Sequence, residues 1–395
     1  MTRVVVTGAH GSVGRRVITR LAQRPEVAVV AIDKDAPAAP YTSVTTKQVD
    51  LADADLAALF SGADAVVHLA TTVTAGTLNQ AEAELEAALL HRVLDALAAV
   101  HVPHLVVMSS AMVYGAWKDN PVPITEDAPV RPNPDFDWAV QRHRLERLAQ
   151  QWALAPGRSV AVLRPAVTVS EDRLGQLATT LRAARSGVAA DGDPPVQYLH
   201  SDDLAEAVVT AVEVRYDGIL NVAPDGWIPP DTLAGLEGPR PRLRAPSYLV
   251  RIVSALRWRW GLAPTPPGVV PYTTHPWVVA NDRLRALGWT SAHSNEEAWV
   301  VSHEPHPLES LPARRRQELL LAVAAALLAS GVVAAVLTVR SLRRHRRAPA
   351  PPAFRGRQEI SARFCGDGPH FQPEILRGQG RPLATITMFH SARTP

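Results

Sequence analysis

The residues best placed to do chemistry stand near the N-terminus. Thr7-Gly8-Ala9-His10-Gly11-Ser12-Val13-Gly14 follows a short apolar run and opens a helical pattern. Glycine lets the backbone turn tightly and approach a pyrophosphate, and a helix N-terminus offers unpaired N–H groups and a positive dipole end. Asp33 closes the next apolar run. A carboxylate there accepts hydrogen bonds from the adenosine ribose and repels a 2′-phosphate, which favours NAD over NADP. Lys34 beside it blurs that preference. The expected cofactor is therefore NAD, held by Gly8, Gly11, Gly14 and Asp33; the competing reading is a tight turn next to a solvated aspartate.

Such a loop works only if a strand and a helix present it. Short apolar runs at 3–7, 27–32, 46–49, 65–69, 104–108 and 160–164 alternate with helical patterns such as 82–100 and 138–152. That alternation predicts βαβ units and a parallel sheet, an α/β Rossmann-type doubly wound fold over residues 1–165. Residues 166–302 are less regular, with a helical stretch at 203–213 and a proline-rich passage at 264–276, and are read as a smaller substrate-binding part interleaved with the last strands. Residues 248–260 hold Arg251, Arg257, Trp258, Arg259 and Trp260. That helix is expected to pack within this part, with contact to a membrane headgroup region as the alternative.

The order of motifs resembles the extended short-chain dehydrogenases/reductases, the NAD-dependent epimerase/dehydratase family that acts largely on nucleotide sugars. Besides the glycine loop, Asp50-Leu51 resembles the family's adenine-contacting pair, and His68-Leu69-Ala70 its fourth-strand end beside the cofactor. The run from Val107 through Ser110 and Tyr114 to Gly115 is similar to the serine motif, and Leu163-Arg164-Pro165, Asn221-Val222-Ala223 and Leu287-Gly288-Trp289 to later landmarks. The resemblance implies a nucleotide-sugar-like ligand, allows a homodimer, and gives Ser110 the part of hydrogen-bonding a reacting oxygen.

It also implies a tyrosine with a lysine four residues on, whose partnership lowers the tyrosine pKa for proton transfer. The register set by Glu146 puts Arg142 in the lysine slot and Trp138 in the tyrosine slot. Arginine could still hold the nicotinamide ribose, but indole has one N–H and no proton to exchange. Glu86 and Leu89-Leu90 stand where the family carries Asn and Gly-Thr, and Val169-Ser170-Glu171 where it carries Tyr-Gly-Pro. Usual activity is expected to be lost or weakened. Tyr114, Glu86 and His143 are the alternative proton carriers, and a non-catalytic NAD sensor or scaffold at a membrane is the alternative function.

Composition sets the outer limits. Of 395 residues 47% are hydrophobic, enough for a real core. Arginine outnumbers lysine 38 to 3, so arginine in a lysine slot suits the chain. Net charge is −5 over residues 1–300 and +8 over 301–395, so the body offers no basic footprint for nucleic acid and membrane lipid is the expected partner of the tail. One cysteine, Cys365, excludes an intrachain disulfide or a cysteine-rich metal site. No metal is expected; His303, Glu304 and His306 lack further ligands nearby. Residues 303–318 read as a Pro/Arg-rich linker. Residues 319–339 carry no charge and no proline, and as a helix would span roughly 32 Å, the thickness of a bilayer core. A single transmembrane helix is expected there, then a basic, disordered tail at 340–395. The nucleotide-binding domain is expected on the cytoplasmic side, although five arginines follow the helix closely and only three precede it.

Overall fold

The computed structural model describes residues 1–71, 79–171, 175–185, 188–190, 193–237, 243–260, 265–301 and 315. Apart from residue 315, the expected linker, membrane helix and tail fall outside the described residues, as do His303, Glu304 and His306. Among the described residues no helix is long and apolar enough to cross a membrane. The chain divides into two units, Met1–Ser310 and Leu311–Pro395, and the elements below belong to the first.

In chain order they are β1 (Thr2–Thr7), α1 (Ser12–Ala22), β2 (Val27–Asp33), β3 (Val44–Gln48), α2 (Leu56–Phe60), β4 (Ala65–His68), α3 (Gln80–Ala99), β5 (His104–Met108) and α4 (Asp137–Ala153). Then follow β6 (Ser159–Pro165), β7 (Val167–Val169), α5 (Gln176–Arg185), β8 (Val188–Ala190), β9 (Tyr198–His200), α6 (Ser201–Glu213) and β10 (Gly218–Val222). The last are α7 (Pro230–Glu237), β11 (Leu243–Ala245), α8 (Ser247–Arg259), α9 (Asp282–Ala286) and α10 (Asn295–Val301), with 3-10 turns at Ala111–Tyr114 and Pro267–Thr273.

Seven strands form one parallel sheet in the order β10-β6-β5-β4-β1-β2-β3. The apolar runs are continuous because both faces are covered. Val4 and Val6 of β1 face the cluster with Val17, Ile18 and Leu21 of α1 and Leu204 and Val208 of α6. Val5 faces the other way, onto Phe60 of α2 and Val93, Leu94 and Leu97 of α3. From β1 the chain runs outward through β2 and β3, then returns across β1 to β4 and runs the opposite way. The reversal between β1 and β4 opens a crevice at the carboxyl ends of these strands, where such folds bind ligands. α6 and β10 belong to this sheet layer although they come after residue 165.

The helix at 247–260 meets expectation on one side only. Among the described side chains of α8 only Val250 is buried, seated on Val270. The expected packing within the second part is made through this one side, against the Pro267–Thr273 turn and β8, and the other apolar side chains of the helix face solvent. The apolar spacing identified an amphipathic helix but not which face the protein covers.

Candidate active site

The glycine loop lies where β1 gives way to α1, beside the reversal point. Gly8 has φ of +68°. A Cβ on Gly8 would stand 2.6 Å from Ala70 N, and one on Gly14 would stand 2.1 Å from the Gly8 carbonyl oxygen. Side chains are excluded at both, for close packing of loop, helix and the β4 end. A Cβ on Gly11 would meet that same oxygen at 3.3 Å, a milder contact. This cradle fits a dinucleotide pyrophosphate. Asp33, half-buried at the end of β2, accepts from the backbone N–H of His10 at 2.8 Å and of Asp35 at 3.1 Å. Each carboxylate oxygen keeps capacity for one more donor, as a ribose would need. Asp50 is exposed and caps its own turn through Ala52 N, and Leu51 is buried against the α3 face.

At the reversal point the Thr7 hydroxyl and His68 Nδ1 are hydrogen-bonded at 2.8 Å. His68, Leu69 and Ala70 begin the wall of a cavity of about 280 Å³ that also reaches Ser110, Trp138 and Arg142. Burial pushes His68 down to about 4, with the Arg142 charge adding to that and Glu86 opposing it. The ring is therefore neutral near pH 7.

Trp138, Arg142 and Glu146 follow one another at four-residue intervals on α4 and all line the cavity. Glu146 takes both forks of Arg164, at 2.8 and 2.7 Å, and each of those side chains is 2% exposed. That bidentate pair ties α4 to β6 and fixes which face of the helix meets the cavity. Arg142 is committed to a second buried pair. Its Nη2 donates to Glu86 Oε1 at 2.7 Å and to Thr71 Oγ1 at 3.2 Å, while Thr71 donates to the same Glu86 oxygen at 2.6 Å. The guanidinium stands over the Trp138 ring, 5.3 Å from its centroid. Glu86 Oε2 and Arg142 Nε are buried without a protein partner, which leaves the pair one acceptor and one donor for a ligand.

Ser110 caps the Ala111–Tyr114 turn by accepting from Met112 N at 3.2 Å, and its own proton is not used in that bond. Tyr114, four residues on, is not in the cavity wall. It donates to Asn221 Oδ1 at 2.9 Å beneath the Arg164 guanidinium. Burial raises its pKa, against the opposing pull of Arg164 and Asn221. The structure thus brings together Leu69, Ala70, Ser110, Trp138 and Arg142, with Glu86 among them, and leaves Tyr114 outside. Among the described residues no group of three or more His, Cys, Asp or Glu is arranged to hold a metal ion. Sequence reasoning did not single out Thr71 or Leu177. Each reaches the cavity from a separate element or loop, and no local spacing marks them.

Comparison with known proteins fits this geometry. The profile of the NAD dependent epimerase/dehydratase family matches residues 4–223. The chain belongs to that family. A 3-diazoavenalumate denitrifying reductase of a Streptomyces species is 30% identical over 318 residues, which cover 74% of this chain and 96% of that protein. An uncharacterised Sinorhizobium fredii protein, y4nG, is 30% identical over 134 residues, so the chain spans only 33% of its length. Solved structures share the fold. MoeE5 in complex with UDP-glucuronic acid and NAD matches with a TM-score of 0.57 at 22% identity, over 76% of this chain and 97% of MoeE5. The UDP-glucose 4-epimerase of Thermus thermophilus, in complex with NAD, matches with a TM-score of 0.57 at 20% identity, over 76% and 97%.

Proposed function

We propose that this chain is a membrane-tethered, NAD-binding member of its family whose usual tyrosine–lysine chemistry on nucleotide sugars has been lost or severely weakened. The observation that carries the reading is Arg142, locked between Glu86, Thr71 and the Trp138 ring. A guanidinium held this way is permanently charged, and its Nη2 is already spent on a carboxylate and a hydroxyl. Trp138 beside it has no proton to give or take. Gly8, Gly11, Gly14 and Asp33 would hold the dinucleotide, with Leu69 and Ala70 behind the loop. NAD bound there supplies a hydride acceptor or, when reduced, a hydride donor. Ser110 presents a hydroxyl proton toward the cavity, and Arg142 with Glu86 orients a polar group by one donor and one acceptor.

The test is calorimetric titration of the full-length chain with NAD and NADP, alongside turnover assays with UDP-glucose. The reading expects NAD binding in preference to NADP and background turnover. A positioned acid or base contributes about 10²–10⁴-fold, so the double change Trp138→Tyr with Arg142→Lys should raise turnover within that range. Robust wild-type turnover that survives change of both Ser110 and Arg142 would overturn it.

A second reading is favoured by the Streptomyces relative and by the apolar wall formed by Val13, Leu89, Leu90, Leu177 and Leu204. It makes this chain a reductase of a substrate less polar than a nucleotide sugar. NADH oxidation with small aromatic acceptors, and none with UDP-glucose, would select it. The tether itself, residues 319–339 with the nucleotide-binding domain in the cytoplasm, is tested by protease treatment of spheroplasts carrying a tag at each end. Loss of the C-terminal tag alone is expected; loss of the N-terminal tag alone reverses the orientation.

A further inference from the structure

α8 is built inside out. Tyr248, Ile252 and Leu256 follow one another at four-residue spacing, and Leu249, Val253 and Trp260 line the adjacent strip. These six side chains fall within an arc of about 140° at the 3.6-residue helical period. Val250, on the opposite side, is the anchor on Val270 of the Pro267–Thr273 turn. Tyr248 is 62% exposed, Ile252 53% and Trp260 69%. A soluble surface rarely leaves so many large apolar groups together, and where it does the patch is a contact site.

The charges around the stripe say what it contacts. α8 carries three arginines and no acidic residue. Arg251 pairs with Asp135 at 2.6 Å, while Arg257 and Arg259 are exposed and flank Trp258 and Trp260 at the C-terminal end. From Glu237 to Asp282 the sequence holds six arginines and not one carboxylate between them. A second copy of this chain docking α8 on α8 would bring no carboxylate to these arginines. A surface of anionic phospholipid meets the stripe with acyl chains, the arginines with phosphate, and Trp260 at the C-terminal end of the stripe with the interfacial layer it favours.

We infer that α8 is an interfacial membrane helix: its apolar face lies in the headgroup boundary of an anionic bilayer and holds the nucleotide-binding unit against the membrane surface. The inference stands on residues separate from 319–339 and does not need that segment to span. The turn that seats α8 also packs against α5, whose Leu177 lines the cavity. Docking element and cavity wall therefore share one support.

The experiment places an environment-sensitive fluorophore on α8 in the full-length chain. Cys365→Ser removes the single native thiol, and Leu256→Cys takes the label; Leu154→Cys, 84% exposed at the end of α4, is the aqueous control. Each protein is reconstituted with vesicles of POPC alone and of POPC with POPG. The expected result is a blue-shifted label at position 256 in the anionic vesicles, quenched by a shallow doxyl lipid, with position 154 unchanged. Arg257→Gln with Arg259→Gln should lower the ratio of docked to undocked label roughly 30-fold, from about 1 kcal/mol per basic residue at an anionic surface. A label at 256 that stays aqueous while the protein floats with the vesicles overturns the inference and leaves the tether standing. A blue shift that depends on protein concentration rather than on POPG also overturns it, and assigns the face to a second copy. Loss of flotation in POPC with retention in POPG supports α8 and overturns the tether.

Discussion

The arginine pairs of α4 do different work at the residue scale. Arg164 and Glu146 satisfy one another in a dry setting, where burial drives the carboxyl up and the hydrogen bonds and charge of Arg164, with His143 near by, bring it below its ordinary range. Removing one partner strands a charge, so Glu146→Ala should lower unfolding stability by about 3–5 kcal/mol, read as a shift in urea midpoint. His104 makes a pH-dependent contribution that comes from burying a neutral ring rather than from pairing a charge. It is fully buried with Nδ1 at 2.8 Å from Ser159 Oγ, and burial pushes it down to about 4, with the Arg215 charge adding. The unfolded chain protonates this ring as pH falls through about 6.5, while the folded chain resists until about 4. Its stabilisation is therefore complete above that upper value and is lost progressively between the two. The total is ~3 kcal/mol at 1.36 kcal/mol per unit. His104→Asn should flatten the stability profile over that window in denaturant titrations at successive pH values.

At the scale of elements, the loop joining β1 to α1 is the part least able to absorb change. Gly14→Ala forces a methyl against the Gly8 carbonyl oxygen, so NAD binding in calorimetry should vanish, whereas Asp33→Ala should keep binding and narrow the preference over NADP. These positions were legible because turn chemistry is local: a strand, a tight glycine turn and a helix occupy consecutive residues. The strands were legible for a similar reason. Burial on both faces leaves an unbroken apolar run, and 104–108 was placed to the residue. Glu146 gave α4 its register, which is why Trp138 and Arg142 could be set on one face from the spacing alone. What the pattern could not carry was partnership between distant segments. Glu86 stood out as an oddity on α3, but its bond to Arg142 spans 56 residues of sequence. α8 was legible as a helix packed on the second part, but helical periodicity reports a stripe and is silent on what covers it.

At the scale of the molecule, the sheet ties the two ends of the nucleotide-binding unit to its middle. β1 sits between β4 and β2, and β6 is covered on its outer side only by β10. That order has a consequence for a chain made from its N-terminus. β1, β2 and β3 can pair as soon as residue 48 is free, but the edge of Val4–Val6 stays open until Ala65–His68 follows. The edge of β6, Ala161–Pro165, stays open until Gly218–Val222 arrives, more than fifty residues later. Parallel pairing needs such long crossovers and is slow to close, and an unpaired apolar strand is a template for association with another chain. Fragments ending at Pro165 should therefore scatter light and sediment as aggregates under conditions in which fragments ending at Val301 do not. During synthesis, the interval between those two lengths is when the nascent protein most needs a chaperone on its unfinished edge.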